Sequence, residues 1–545
     1  MFNLRHPSLT YLQNFADYRV QVIYLRLKII EMYFEYKIFA ALICQSHEAY
    51  TYMWYFLLHS FVKAGRIYNT YMKENRLQKF NELNSWQLFA MTASMVMTVY
   101  GFAPFAKEGP TALFFLFLAG IFWFTPVTRA AGEMASINGW SKGGVFTWTS
   151  NMLGEKSGWA ALFYQWIHIT VGMDAMMYFI IGCLSMVFDL PLLNNNPLVR
   201  FVLMMIILWT IILCQQHGTK RSGKIAQWCF SLGVILPVIF LLVLFVAYLV
   251  HGNPVYVHVS WKTVIPHSFN GTVLVGFVPF MLAFAGAEGS AAHVKDLKKT
   301  SSYPTVMLAL SIAAIVSDIV GSMSIAMTVP NDRIHLSTGI VYAYGELVKH
   351  IGFTPVYFEK MIGLMLAIGA IGEISSWVVG PNQGMFEAAK KGFLPVRFGK
   401  TNKFGVPTKV MVLQGSIVSI TAALFTFSGG KNADLAFDMA MSSTVAQYTL
   451  MYMLLFVSYL VLQFKHADLN RTYFASKHKF MRLLYGFFGL GLSAFGFVVT
   501  FFPTAGMDQQ MRRVYTWLLL ATCFLVFVTP FILYKFHYRW SHKTD

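Results

Sequence analysis

Charge is scarce in this sequence: only 12% of its 545 residues are Asp, Glu, Lys or Arg, and 24 are acidic. So thin a polar coat cannot cover a water-soluble surface of this size, which excludes a soluble globular chain. Cysteine is scarcer still. Cys44, Cys183, Cys214, Cys229 and Cys523 show no paired spacing, so free thiols are expected, with no disulfide framework and no metal site. The sequence also lacks a phosphate loop, a nucleophile set beside a base and any metal-ligand spacing, so it predicts neither an enzyme nor a cofactor. A cleavable signal peptide is missing too, because the first residues offer no clean apolar core followed by small residues.

Apolar residues fill the space that charge leaves. They make up 56% of the chain, with a mean hydropathy of +0.54, as expected of an integral membrane protein whose partner is the lipid bilayer. The net charge of +18 would suggest nucleic acid in a soluble chain. Here it fits basic loops held against an anionic leaflet, and no nucleic-acid partner is predicted.

From Trp86 onward, apolar runs alternate with short polar loops and predict about twelve transmembrane helices, near 86–106, 110–131, 157–187, 197–215, 224–250, 269–293, 304–329, 355–379, 408–428, 436–463, 482–502 and 514–535. Residues 1–71 are different. They are Tyr-rich with scattered charge, and read either as an extension lying on the membrane surface or as upstream sequence joined by a wrongly assigned start; the second is preferred because Met72 opens a conventional polar lead-in. The transporter domain is then 72–545. With Met72 to Ser85 on the cytoplasmic side, loops on that side hold about 26 basic residues against about 9 opposite, which predicts both termini in the cytoplasm.

The stretch from Phe277 to Pro304 carries the functional argument. An apolar helix there meets Ala285, Gly286, Ala287, Glu288, Gly289 and Ser290, small residues around a carboxylate at membrane depth. Such a segment persists only where it lines a cavity or binds a ligand, and it predicts a discontinuous helix. The first span places Thr92, Ala93, Ser94, Thr98 and Gly101 at a matching depth. Five helices separate these two clusters, which predicts a five-plus-five inverted repeat, about 86–250 and 269–463, with two extra helices at 482–535. Taken singly, each cluster also reads as ordinary close packing.

Glu288 is the first candidate, able to pair a substrate ammonium or take a proton; its alternative is a carboxylate capping broken backbone. Unwinding at Ala93, Ser94 and Met95, and at Gly286 to Gly289, would bare amide donors for a substrate carboxylate. Glu373 and Trp377 lie four apart on one face of the eighth helix, and Tyr448 and Tyr452 repeat that spacing on the tenth. His168, Asp174, Asp318 and Asp438 are further ionisable residues inside or near the spans, the first three being proton-coupling candidates with Glu288 and Glu373. Pro381 to Pro395 predicts a short amphipathic helix on the cytoplasmic face.

Three loops have distinctive wording: RAAGEMASINGWSKGGVFTW, AHVKDLKKTSSYP and VVGPNQGMFEAAKKGFLPVRFGKTNKFGVPT. With them, from about Leu83 to Tyr538, the sequence resembles the amino acid, polyamine and organocation transporter superfamily. Through FAMTASMVMTVY, GGVFTWTSNMLG, HGTK and EISSWVVGP it resembles bacterial glutamate/γ-aminobutyrate antiporters in particular. The resemblance implies the fold with discontinuous first and sixth helices, and a path lined by Glu288, Glu373, Trp377, Tyr100, Tyr448 and Tyr452. It also implies an inner-membrane exchanger of glutamate, or a related amino acid, for γ-aminobutyrate or a similar product, coupled to a cytoplasmic decarboxylase in acid resistance. An amino acid/proton symporter and a non-transporting sensor of the same fold stay open, as does the oligomeric state. The acid-resistance antiporters carry a carboxy-terminal plug that has no counterpart before Asp545, so pH gating is expected from titratable groups elsewhere.

Overall fold

The computed structural model describes residues 84–140, 143–217, 228–291, 297–504 and 507–537. The region 1–71 lies outside the described residues, which all fall within the compact unit Leu83–Asp545. Among them the regular structure is helical, apart from one isolated antiparallel bridge between Ile137 and Arg471.

The first span is broken into α1, Ser85–Val96, and α2, Phe102–Lys107. Asn84 starts it with a capping box: its side chain accepts from the Gln87 amide, and the Gln87 side chain accepts from the Asn84 amide. Continuous helices follow: α3, Thr111–Ala135; α4, Gly144–Leu153; α5, Glu155–Val187; α6, Pro197–Gln215; and α7, Trp228–Val250. A second broken span holds α8, Val278–Leu282, and α9, Ala287–Ala291. The remaining helices are α10, Tyr303–Thr328; α11, Gly339–Lys349; α12, Pro355–Lys390; α13, Thr408–Gly429; α14, Ala433–Lys465; α15, Lys479–Val499; and α16, Gln509–Lys535. Asn196, Asn432 and Asp508 each start a helix by accepting from its first-turn amides.

Ten of these helices, among the described residues, are long and apolar enough to cross a membrane: α3, α5, α6, α7, α10 and α12 to α16. The chain is a multi-pass membrane protein. Burial sorts the ten. The most apolar window of α5 is 94% buried and that of α14 is 72% buried, whereas α16 buries 22%. The first two therefore form the interior, and α6, α7 and α16 turn side chains such as Leu198, Ile206, Val243 and Phe524 outward toward lipid.

Two expectations need adjusting. The predicted amphipathic helix at Pro381 to Pro395 is instead the last part of α12, which runs to Lys390 through Pro381. Unlike the helix break usual at an interior proline, this ring is accommodated, as in other membrane helices. Two short helices, α4 and α11, occupy stretches expected to be loops, because their few apolar residues pack against the bundle rather than lipid. Exposed hydrogen bonds join Ser85 to Ser302, and Lys107 to the Asn331 carbonyl.

Candidate functional site at the broken helices

Between α8 and α9 the chain turns through Ala283 to Gly286, with Gly286 at φ +94°. L residues avoid that left-handed region and glycine enters it freely, so Gly286 is what lets the helix come apart here. The Ala285 amide bonds to the Leu282 carbonyl, which leaves the Met281 carbonyl for the Tyr448 hydroxyl at 3.1 Å. Past the turn, Gly289 N–H closes on the Gly286 carbonyl at 3.1 Å.

Glu288 sits in α9 and is 3% exposed. Its Oε1 accepts from Gln165 Nε2 of α5 at 3.0 Å, and its Oε2 accepts from the Tyr452 hydroxyl of α14. One carboxylate thus ties three elements together. Trp123 of α3 backs this arrangement, its ring 5.3 Å from Tyr448 and 4.8 Å from Tyr452, while its indole N–H donates to Ser493 of α15 at 3.0 Å. The two tyrosine rings lie 4.5 Å apart, edge to face, and the His168 ring lies 5.2 Å from Tyr448 with its Nδ1 3.2 Å from the Tyr164 carbonyl.

The first span breaks later than expected. Ala93, Ser94 and Met95 are helical, and the chain leaves the helix at Met97, whose amide still reaches the Ala93 carbonyl at 2.8 Å. The break runs from Met97 to Gly101 because β-branched Thr98 and Val99 are followed by a glycine, a poor sequence for continuing a helix. Tyr100 is buried within it, 6.5 Å from the Phe179 ring of α5 and within electrostatic reach of Glu373. On α12, Glu373 and Trp377 share a face as their spacing predicts, but the indole N–H is 3.5 Å from Oε1, the outer limit of a hydrogen bond.

Other candidates stand apart from this constellation. Asp174 is buried in α5 and Asp318 in α10. Asp438 of α14 accepts from the Thr504 hydroxyl at 2.9 Å near one end of the bundle.

Two residues of this constellation went unnoticed in the sequence, Gln165 beside Glu288 and Trp123 behind the tyrosines. Gln165 had one available signal, a lone amide in the apolar run LFYQWIHIT three residues before His168. Trp123 had none beyond being aromatic. A separate buried cluster was also missed: Glu133 of α3 accepts from Arg471 at 2.5 Å, Gln463 at 3.0 Å, Tyr459 at 2.8 Å and the Ala475 amide at 3.0 Å. Both charges of that ion pair are sealed from solvent. This fastens the end of α3 to α14 and to the segment between α14 and α15.

Glu108 and His335 lie outside the spanning helices, at the end opposite Asn84, and both have raised pKa values. Glu108, in the turn between α2 and α3, is pushed up to about 7 by burial and then by the Asp438 carboxylate. A Cβ on Gly276 would fall 2.5 Å from its carboxyl carbon, so the glycine makes room for this group. His335 Nδ1 is 3.1 Å from Asp434, and that hydrogen bond raises its pKa.

Comparison with known proteins identifies the family. The family model described as "Amino acid permease" matches residues 83–528. The chain is 39% identical over 464 residues to a "Glutamate/gamma-aminobutyrate antiporter" of Lactococcus lactis subsp. lactis (strain IL1403), covering 85% of this chain and 92% of that protein. The same figures hold for the protein of that name from Lactococcus lactis subsp. cremoris (strain MG1363). A "Probable agmatine/putrescine antiporter" of the former strain is 21% identical over 342 residues, 60% of this chain and 68% of that one. The chain belongs to the amino acid permease family, within the amino acid, polyamine and organocation transporters, and is a transporter rather than an enzyme.

Proposed function

We propose that this protein is a secondary-active antiporter of the bacterial inner membrane, with both termini in the cytoplasm. It exchanges external glutamate, or a related amino acid, for internal γ-aminobutyrate or a similar decarboxylation product. The reading is supported by the two named antiporters, which share 39% identity with nearly their whole length represented here. The structural observation that carries it is Glu288, held at a helix break between Gln165 and Tyr452. A substrate ammonium competing for that carboxylate would release both donors, which loosens α9 from α5 and α14 and opens the way to alternating access. Tyr100, Glu373, Trp377 and Tyr448 line the path, with the backbone turn at Gly286 meeting the substrate carboxylate.

Coupled to a cytoplasmic decarboxylase that consumes a proton, each cycle removes acid from the cell, which makes acid resistance its role. Counterflow in liposomes tests the proposal. Vesicles preloaded with γ-aminobutyrate should take up labelled glutamate, empty vesicles given only a pH gradient should not, and Glu288→Ala should abolish uptake while inserting normally. Equal uptake by empty vesicles with a pH gradient would replace exchange by proton symport, and binding without flux would leave a sensor.

A further inference from the structure

Asp174 differs from Glu288 and Glu133. It is fully buried in α5, and neither of its carboxyl oxygens has a hydrogen-bond partner. The Glu288 oxygens are occupied by Gln165 and Tyr452, and those of Glu133 by four donors. Burying an ionised carboxylate without donors costs several kcal/mol.

The threonine hydroxyls around Asp174 donate to backbone carbonyls instead. Thr421 of α13 faces it, but that hydroxyl hydrogen is shared between the Ile417 and Val418 carbonyls, both at 3.2 Å. Thr170, one turn earlier on α5, donates to the Trp166 carbonyl at 2.8 Å. Thr444 of α14, packed on Gly172, donates to the Ala440 carbonyl at 2.8 Å. Titratable groups nearby are likewise engaged. His168 pairs with the Tyr164 carbonyl, Glu373 of α12 meets Trp377, and Tyr178 shares a hydrogen with Thr426 of α13 at 2.7 Å. Arg200 of α6 lies over the far face of Tyr178, 5.6 Å from its centroid, with its terminal nitrogens on the Asn194 and Gly430 carbonyls. What remains around Asp174 is an acceptor, the Thr421 oxygen. A carboxylic acid can use that acceptor; a carboxylate cannot.

We propose that Asp174 is the proton-binding position of the transport cycle, loaded in the arrangement seen here and reached from the end of the bundle that carries His335 and Glu108. This rests on the exchanger reading. On the other side, Trp166, Asn382, Gln414 and Thr170 form a closed chain of 2.7, 2.7 and 3.3 Å hydrogen bonds, three of whose links are amides or indole that do not relay protons. Toward His335, the Tyr178–Thr426 pair can reverse its donor and acceptor. The step is a simple one: an O–H bond forms on the carboxylate with a proton from water and later breaks to return a proton to water, with no electrons transferred.

The experiment uses the full chain in proteoliposomes and has two readouts. The first is infrared spectroscopy of wild type against Asp174→Asn at neutral pH, with the wild type also labelled at aspartate with carbon-13. It should show a protonated-carboxyl band that shifts with the label and is missing from the variant. It needs no transport, so it stands even if glutamate exchange fails. The second is exchange across pH 5 to 7.5: wild type should vary about threefold or more, Asp174→Asn should be flat, and Asp174→Glu should restore the dependence. A protonated-carboxyl region that does not shift with the label, showing no protonated aspartate in the wild type, would overturn the assignment without the variant having to fold. So would a wild-type pH profile retained by Asp174→Asn.

Discussion

The Tyr452 hydroxyl donates to Oε2 of Glu288, across the gap between α14 and the far half of a broken helix. Gln165 holds the other oxygen from α5. The site's acid is therefore occupied by the protein itself, and a substrate ammonium must displace a hydroxyl and an amide to reach it. Tyr452→Phe removes one of these competitors while keeping the ring against Trp123 and Tyr448. A hydrogen bond to a charged group is worth roughly 1.5–3 kcal/mol. The variant should insert normally and change the apparent affinity for glutamate in counterflow by about tenfold or more, whereas Tyr459→Phe, whose hydroxyl donates to Glu133, should leave that affinity unchanged.

Much of this site was legible because charge at membrane depth is conspicuous. Glu288 stood out among Ala and Gly, and the four-residue spacings placed Glu373 with Trp377 and Tyr448 with Tyr452, as the helices confirm for their positions. What the sequence concealed was pairing between distant segments. Nothing local says that Gln165 meets Glu288 or that Arg471 meets Glu133, since those contacts depend on how helices pack. The first break was misplaced by one turn for a related reason: Ala93 to Met95 are small or flexible enough to suggest unwinding, yet they favour helix, and the helix yields only at the β-branched pair before Gly101.

Gly286 offers a backbone test. At φ +94° a Cβ is strained by roughly 1–2 kcal/mol, so Gly286→Ala should lower thermal stability modestly in detergent. Because the strain falls on the turn that presents Glu288, exchange should drop far more than the amount of folded protein. Gly491→Ala, in open space on α15, should be neutral in both assays.

The Glu133–Arg471 pair should behave as a fastening. Arg471→Ala leaves a carboxylate sealed from water with its cation gone, at a cost of about 3–5 kcal/mol. Its melting temperature should fall well below that of the wild type. Replacing both charges, with Glu133→Gln and Arg471→Met together, removes the uncompensated charge and should recover part of the loss; a double variant no more stable than Arg471→Ala would show that the ion pair is not what fastens these segments.

Acidity should strengthen the end of the bundle that carries His335 and Glu108. His335 gains Asp434 on folding and its pKa is raised above 6.5; its contribution is complete below that value and is lost as pH rises through the higher folded one. Stability of the wild type relative to His335→Gln should accordingly be greatest at acid pH and fade toward alkaline pH. Since the His335 side chain is 58% exposed, the difference should be small and should shrink further with added salt.

Glu108 obeys the same sign for a different reason. Its pKa rises from 4.5 to about 7 because burial and the Asp438 carboxylate both disfavour its charged form. The folded protein then binds this proton more tightly than the unfolded chain does, so stability is complete below 4.5 and declines as pH climbs through about 7. Glu108→Gln keeps the shape beside Gly276 and removes the charge. Melting temperatures of the two proteins should coincide at pH 4 and diverge above pH 5, with the variant the more stable at pH 8. Parallel curves across that range would mean that Glu108 titrates alike in the folded and unfolded protein, and would remove it from any account of acid sensitivity at this face.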